Sequence, residues 1–144
     1  MADLSLFADE SFHLVFHPVS NLFAPEVRPV WVEAFRVLRR GGYLLAGFLN
    51  PAVYIFDLEL VDSSGELRVR YALPYADTTS KDEEDVARQI ERGEPLEFSH
   101  TLEDQIGGQI EAGFAIVGFY EDRHRDDPIA ARMPTYIATR AIKQ

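Results

Sequence analysis

Between residues 25 and 51 the hydrophobic period of the chain changes abruptly. Val27, Val30, Trp31, Ala34 and Leu38 recur at steps of three and four, the spacing of one buried helical face, with Arg36, Arg39 and Arg40 on or near the opposite face. Pro25 suits a first helical turn, the arginines oppose the dipole at the C-terminal end, and Gly41 can supply a left-handed cap. Gly42 then leads straight into "YLLAGFLNP", a nearly continuous apolar run expected to be a central strand covered on both faces. Upstream, "HLVFH" at residues 13–17 reads as a further buried strand, followed closely by Pro18 and Asn21. Strand, helix and strand joined by tight turns predict a right-handed parallel crossover, so the chain opens as an α/β fold.

The next segment is less regular. "YIFDLELVDSSGELRVRYALPY" alternates in part around an Asp62-Ser63-Ser64-Gly65 turn, which predicts a β-hairpin. Residues 81–92 predict a short helix, with Ser80 and Glu83 at capping-box spacing and four acidic residues in its first turn. Hairpin and helix together form an expected insertion over residues 53–98 that covers one edge of the sheet. The α/β pattern then resumes. Thr101 caps a helix carrying Leu102, Ile106 and Ile110, in which Gly107 and Gly108 each cost about 1 kcal/mol relative to alanine. Gly113 ends it, "FAIVGFYED" reads as a strand, and "TYIATRAIK" reads as the last one. With no internal repeat and no low-complexity linker, residues 1–144 read as one domain.

Composition narrows the function. The apolar fraction of 47% is that of a globular chain, and the absence of cysteine removes disulfides, thiolate nucleophiles and thiolate metal sites. Fourteen Lys and Arg against 24 Asp and Glu give a net charge of -10, which repels phosphate backbones and argues against nucleic acid as a partner. No apolar run approaches the roughly 18 residues of a membrane span and no secretory leader is legible, so no membrane association and a cytoplasmic location are expected. His13 and His17 fall on one face of a strand, but no third ligand joins them, and the acidic run at 82–85 is explained by helix capping; no metal site is expected.

Three phrases, in order, carry a resemblance. Residues 7–13 read "FADESFH", residues 36–42 read "RVLRRGG", and residues 110–114 read "IEAGF". They resemble the segments before the fourth strand, before the fifth strand and before the sixth strand of class I S-adenosylmethionine-dependent methyltransferases of the small-molecule type. The resemblance spans nearly the whole chain and implies the C-terminal half of a Rossmann-like sheet: strand-helix-strand, the hairpin and helix insertion, then helix-strand-strand with an antiparallel last strand. The family's glycine-rich cofactor turn and its acidic ribose-binding residue have no counterpart in the sequence, because Gly107-Gly108 sits inside a helical pattern. Met1-Ala2-Asp3-Leu4 resembles the tail of the family's adenine-side phrase. The expectation is a methyltransferase chain truncated at its N-terminus, inactive alone and unable to bind S-adenosylmethionine by itself.

On that resemblance, Met1, Ala2, Asp3 and Leu4 flank the adenine, Phe16, His17, Pro18 and Val19 face the methionine end of the cofactor, and Ser20 and Asn21 begin the loop towards a small-molecule methyl acceptor. His17 is the candidate general base, its ordinary pKa suiting neutral pH, and the alternative role is a histidine hydrogen-bonded at a strand end. Tyr54, Phe56, Tyr71 and Tyr75 suggest an apolar lid, although alternate packing onto the sheet is the commoner reason for such a pattern. Without the first three strands of the family's sheet, residues 13–18 form a bare apolar edge, which predicts a homodimer through that strand or through the faces left uncovered. A split enzyme and a non-catalytic binding or dimerisation module are the two alternatives to a truncated methyltransferase.

Overall fold

The computed structural model describes residues 2–144. Strand β1 (Phe12–Pro18) leads through a 3-10 turn at Asn21–Phe23 to helix α1 (Arg28–Val37) and strand β2 (Leu38–Leu49). Helices α2 (Leu58–Ser64), α3 (Asp77–Ser80) and α4 (Glu83–Glu91) follow, then a π-helical turn at Glu103–Gly107 continuing into α5 (Gly108–Glu111), and finally strands β3 (Phe114–Asp122) and β4 (Tyr136–Lys143). The four strands make one sheet in the order β1-β2-β4-β3. β1 and β2 run parallel, while β4 is antiparallel to both β2 and β3. This is the expected strand-helix-strand and helix-strand-strand plan with an antiparallel last strand.

One face of the sheet holds the core. Val30, Trp31, Ala34 and Val37 of α1 pack on Val15, Leu44, Ala46, Phe114 and Ala141. Lys143 closes the end of α1: its Nζ donates to the carbonyls of Phe35 at 2.9 Å and Leu38 at 2.8 Å, a cation at the negative end of the helix. Arg36 ties the N-terminal segment to the same helix, donating to the Leu4 and Phe7 carbonyls and pairing with Asp9 and Glu33.

The opposite face is open. Register pairing puts Leu14 beside Tyr43 and Phe16 beside Leu45 on that side, and Leu14 and Phe16 are 52% and 67% exposed. β2 is therefore covered on one face and not on both as its apolar run predicts. Its buried residues alternate with half-exposed ones, the period of a strand with one face uncovered. β1 pairs only with β2, so its other edge has no neighbouring strand among the described residues.

Several boundaries differ from expectation for identifiable reasons. α1 starts at Arg28, with Pro29 in its first turn. A start at Pro25 would have put Pro29 where a backbone donor is needed. The helix ends at Val37, and Gly41, at φ +77°, lies in a bulge of β2, not one residue past the helix. Phe12 pairs with Leu38 but Leu14 already pairs with Tyr43, so the residues between loop out of register. Gly42 sits at the base of that loop, where a Cβ would meet the Arg39 carbonyl at 2.8 Å and the His13 carbonyl at 3.0 Å.

The expected hairpin is instead helix α2, with a single antiparallel bridge from Phe56 to Val69. Asp57 Oδ1 accepts from the Leu60 amide, and Gly65 ends the helix at φ +74° with its amide on the Val61 carbonyl, so the turn residues act as helix caps. Ser80 closes α3, and α4 begins with Asp82 as its cap position.

Candidate functional site

The residues after β1 converge on the C-terminal end of the parallel pair. His17 is 3% exposed, its ring edge-on to Trp31 at 5.8 Å between centroids. Asn21 holds it: the Nδ2 amide donates to Gln105 Oε1 at 2.7 Å, which leaves Oδ1 to accept from His17 Nε2. That assignment makes His17 the Nε2-protonated tautomer, with Nδ1 as its basic lone pair. Ser20 Oγ lies 3.3 Å from Nδ1 and 3.4 Å from Nε2, so it sits across the ring instead of in line with either nitrogen. Burial lowers the His17 pKa, partly offset by the Asn21 hydrogen bond, and the ring is neutral at pH 7.

The network extends into α5. His100 Nε2 donates to the Asn21 carbonyl at 3.0 Å, Gln109 Nε2 donates to the Gln105 carbonyl, and Thr139 Oγ1 donates to Gln109 Oε1 at 2.9 Å. The helix after Thr101 thus buries Gln105, Gly108 and Gln109, while Leu102 and Ile110, expected to form its apolar face, are exposed. The "QIGGQ" spacing at residues 105–109 carries this polar face, since its glutamines stand four apart. Thr101 does cap the turn, accepting from the Asp104 amide at 3.0 Å. Trp31 is core, its Nε1 donating to the Asp104 carbonyl.

The remaining residues implied by the resemblance fall into two separate places. Phe16, Pro18 and Val19 line the open sheet face with Leu45 and Tyr120. Ala2 and Asp3 lie in a groove beside Pro29, Val32 and Arg36 of α1, and Leu4 packs against the core with its amide on Glu33. Met1 lies outside the described residues. Val19 has φ +38°, a conformation a β-branched residue rarely adopts, and its amide donates to the Gly47 carbonyl at 2.9 Å. Such strain at a strand end costs on the order of 1–3 kcal/mol and is typical of binding sites. Among the described residues no glycine-rich turn joins the two places.

Above the Asn21 network sits the segment 53–98. Tyr54 bridges the two regions: it lines a cavity of about 200 Å³ inside that segment and also a void of about 10 Å³ beside Ser99, His100 and Gln105. The Ser99 hydroxyl is buried and has no hydrogen-bond partner. Among the described residues no cluster of His, Asp and Glu is placed to hold a metal.

Likeness to known proteins matches this geometry. The chain is 50% identical over 143 residues to YbaJ, an uncharacterised methyltransferase of Bacillus subtilis, covering 99% of this chain and 55% of that protein. A crystal structure of an S-adenosylmethionine-dependent methyltransferase from Mesorhizobium loti superposes with a TM-score of 0.64 at 19% identity, over 94% of this chain and 64% of the other. One from Methanosarcina mazei gives 0.59 at 18% identity, over 99% and 63%. The fold is the C-terminal part of the methyltransferase Rossmann-like fold. No family model matches the sequence. The chain spans about half the length of the curated relative and less than two thirds of the solved structures.

Proposed function

We propose that these 144 residues supply the acceptor side of an S-adenosylmethionine-dependent methyltransferase acting on a small molecule, in a cytoplasmic setting. The observation that carries this reading is the coincidence of three features: a free β1 edge, a bare apolar sheet face beside it, and a buried polar network at the end of the same strand. In the family that edge and face continue into the glycine-rich half of the domain. Here a further stretch of chain or a second polypeptide takes that place, and the described residues alone do not hold the cofactor.

The cofactor, when bound, supplies an already activated methyl group, so the protein's work is alignment and proton management. The Asn21 network fixes the His17 ring, and its neutral state leaves Nδ1 able to take a proton from an acceptor placed near Ser20. Val19 and Phe16 present backbone and ring to the open face beside the free β1 edge.

Calorimetric titration with S-adenosylhomocysteine tests the partition. The isolated chain is expected to show no saturable binding, and co-expression with the part of YbaJ that it does not align with is expected to restore micromolar affinity. Micromolar binding by the chain alone would overturn the partition, and no binding by the combined halves would overturn the methyltransferase reading. The free edge also supports a second reading, a binding module that pairs with a copy of itself. A stable dimer that stays inert to S-adenosylhomocysteine even with the complementing half favours that one.

A further inference from the structure

The cavity inside segment 53–98 has the chemistry of a site for a small organic cation. At about 200 Å³ it is smaller than the roughly 300–1,000 Å³ of pockets for drug-sized ligands, so only a compact molecule fits. Three tyrosines make its aromatic wall. Tyr54 and Tyr75 stack at 5.2 Å between centroids, and Tyr71 meets Tyr75 edge-on at 4.9 Å. Tyr54 and Tyr75 are buried, which places them at the floor, while Glu59 and Asp62 are exposed at the mouth.

The charge lining this wall is one-sided. Asp57, Glu59, Asp62, Asp77 and Glu97 face the cavity against a single lysine, Lys81. Lys81 is already engaged: its Nζ lies 3.1 Å from Asp77 Oδ1 and donates to Gln89 Oε1 at 3.0 Å. Burial works against the Asp77 charge, but hydrogen bonds from Tyr75, the Glu97 amide, Gln89 and Lys81 outweigh it and keep the carboxylate ionised. Burial and the neighbouring carboxylates push the Tyr54 and Tyr75 phenols up, so both remain neutral donors whose rings keep their electron-rich faces. Tyr54 donates to Glu97 Oε2 at 2.9 Å, which leaves the other Glu97 oxygen for a ligand.

The chain itself demonstrates the attraction. Arg70 stands over the Tyr71 ring at 5.0 Å from its centroid while pairing with Asp57 at 3.0 Å, a cation held jointly by an aromatic face and a carboxylate. After Arg70 and Lys81 are matched to Asp57 and Asp77, the carboxylates of Glu59, Asp62 and Glu97 make no ion pair among the described residues. An anionic ligand would meet those three charges with no unengaged cation to receive it. A neutral apolar ligand would leave their field unused and part of their hydration lost.

We propose that this cavity binds a small organic ammonium ion, seated against the Tyr71 and Tyr75 rings and paired with Glu97. The binding does not depend on the methyltransferase reading, because an ammonium nitrogen carries no lone pair and cannot itself accept a methyl group. Tyr54, shared with the void beside Ser99 and His100, is the wall between the ion and the Asn21 network.

Choline tests the site, because it is compact, permanently charged and has an uncharged isostere, 3,3-dimethylbutan-1-ol. In NMR titrations of the full chain, choline is expected to bind saturably and to shift the tyrosine resonances, with the isostere at least about tenfold weaker. Tyr71 is only partly buried, so its substitution spares the fold. Tyr71→Leu is expected to weaken choline about tenfold while Tyr71→Phe keeps it, and Glu97→Gln is expected to weaken choline but not the isostere. Absence of saturable choline binding, equal binding of the isostere, or acetate binding as well as choline would each overturn the site. A chain that binds choline yet never S-adenosylhomocysteine, even when complemented, keeps this cavity and loses only the methyl-transfer reading.

Discussion

His17 is held by a side chain that has itself been oriented from a distant helix. Gln105 fixes which end of the Asn21 amide faces the ring, and that in turn fixes the imidazole tautomer. Such a group is costly to charge. Its folded pKa is lowered by burial, so above the ordinary value of about 6.5 neither the folded nor the unfolded chain binds the proton, and His17 adds no pH dependence there. Below that value the unfolded chain takes up a proton that the folded one refuses. Stability then falls as the pH drops towards the folded value, with a slope approaching about 1.4 kcal/mol per pH unit from this residue. Urea unfolding at pH 7.5, 6.5 and 5.5 is expected to show that loss in the native chain and a smaller one in His17→Gln. Parallel curves for the two would mean that the ring is protonated inside the fold. His17, Ser20 and Asn21 are legible through the family resemblance, as the end of a strand and the start of the loop after it, and not as a hydrogen-bonded group. Gln105 is not legible at all, because glutamines four apart mark a shared helix face without saying that the face turns inward, which the packing of this helix on Trp31 decides.

At the scale of elements, α5 and α1 show how closely two backbones approach. A Cβ on Gly108 would sit 2.8 Å from Trp31 Cδ1, an atom of a fully buried ring that has nowhere to go, whereas one on Gly107 would meet only Glu103 Cγ at 3.7 Å. Both glycines have helical dihedrals. Alanine therefore gains about 1 kcal/mol of helix propensity at either position, but at 108 overpacking costs about 1–3 kcal/mol in opposition. Gly107→Ala is expected to raise the urea midpoint and Gly108→Ala to lower it. A rise for both would show that Trp31 yields easily. The same elements mark where sequence patterns sufficed. β3 and β4 carry strong apolar runs bounded by polar residues, and both appear where "FAIVGFYED" and "TYIATRAIK" put them. The segment after Asn50 misled because Asp57 and Gly65 can cap a helix or make a turn, and partial alternation favoured the turn. Only the packing of Val61 with Val53 and Ile129 decides between them.

For the whole molecule, the open face and open edge lie together, and that juxtaposition determines how the chain behaves alone. A β1 strand with unpaired backbone groups on one side and Leu14 and Phe16 standing exposed beside it is a template for pairing. Against association stands the net charge of -10, which repels copies of the chain over distances of about 10 Å at 0.1 M salt. Apolar contact is insensitive to such screening, whereas repulsion is weakened by it, so the two effects separate with ionic strength. The isolated chain is expected to self-associate with rising concentration, and more strongly in high salt. Leu14→Lys with Phe16→Lys should hold it monomeric at every salt concentration, with an unchanged melting temperature, because neither side chain is buried in the α1 core. Sedimentation velocity reads both. A native chain that stays monomeric in high salt would mean that the edge and face do not attract a partner. If instead the complementing part of YbaJ abolishes the association while binding the chain one to one, the same surface is shown to prefer a heterologous strand over its own copy.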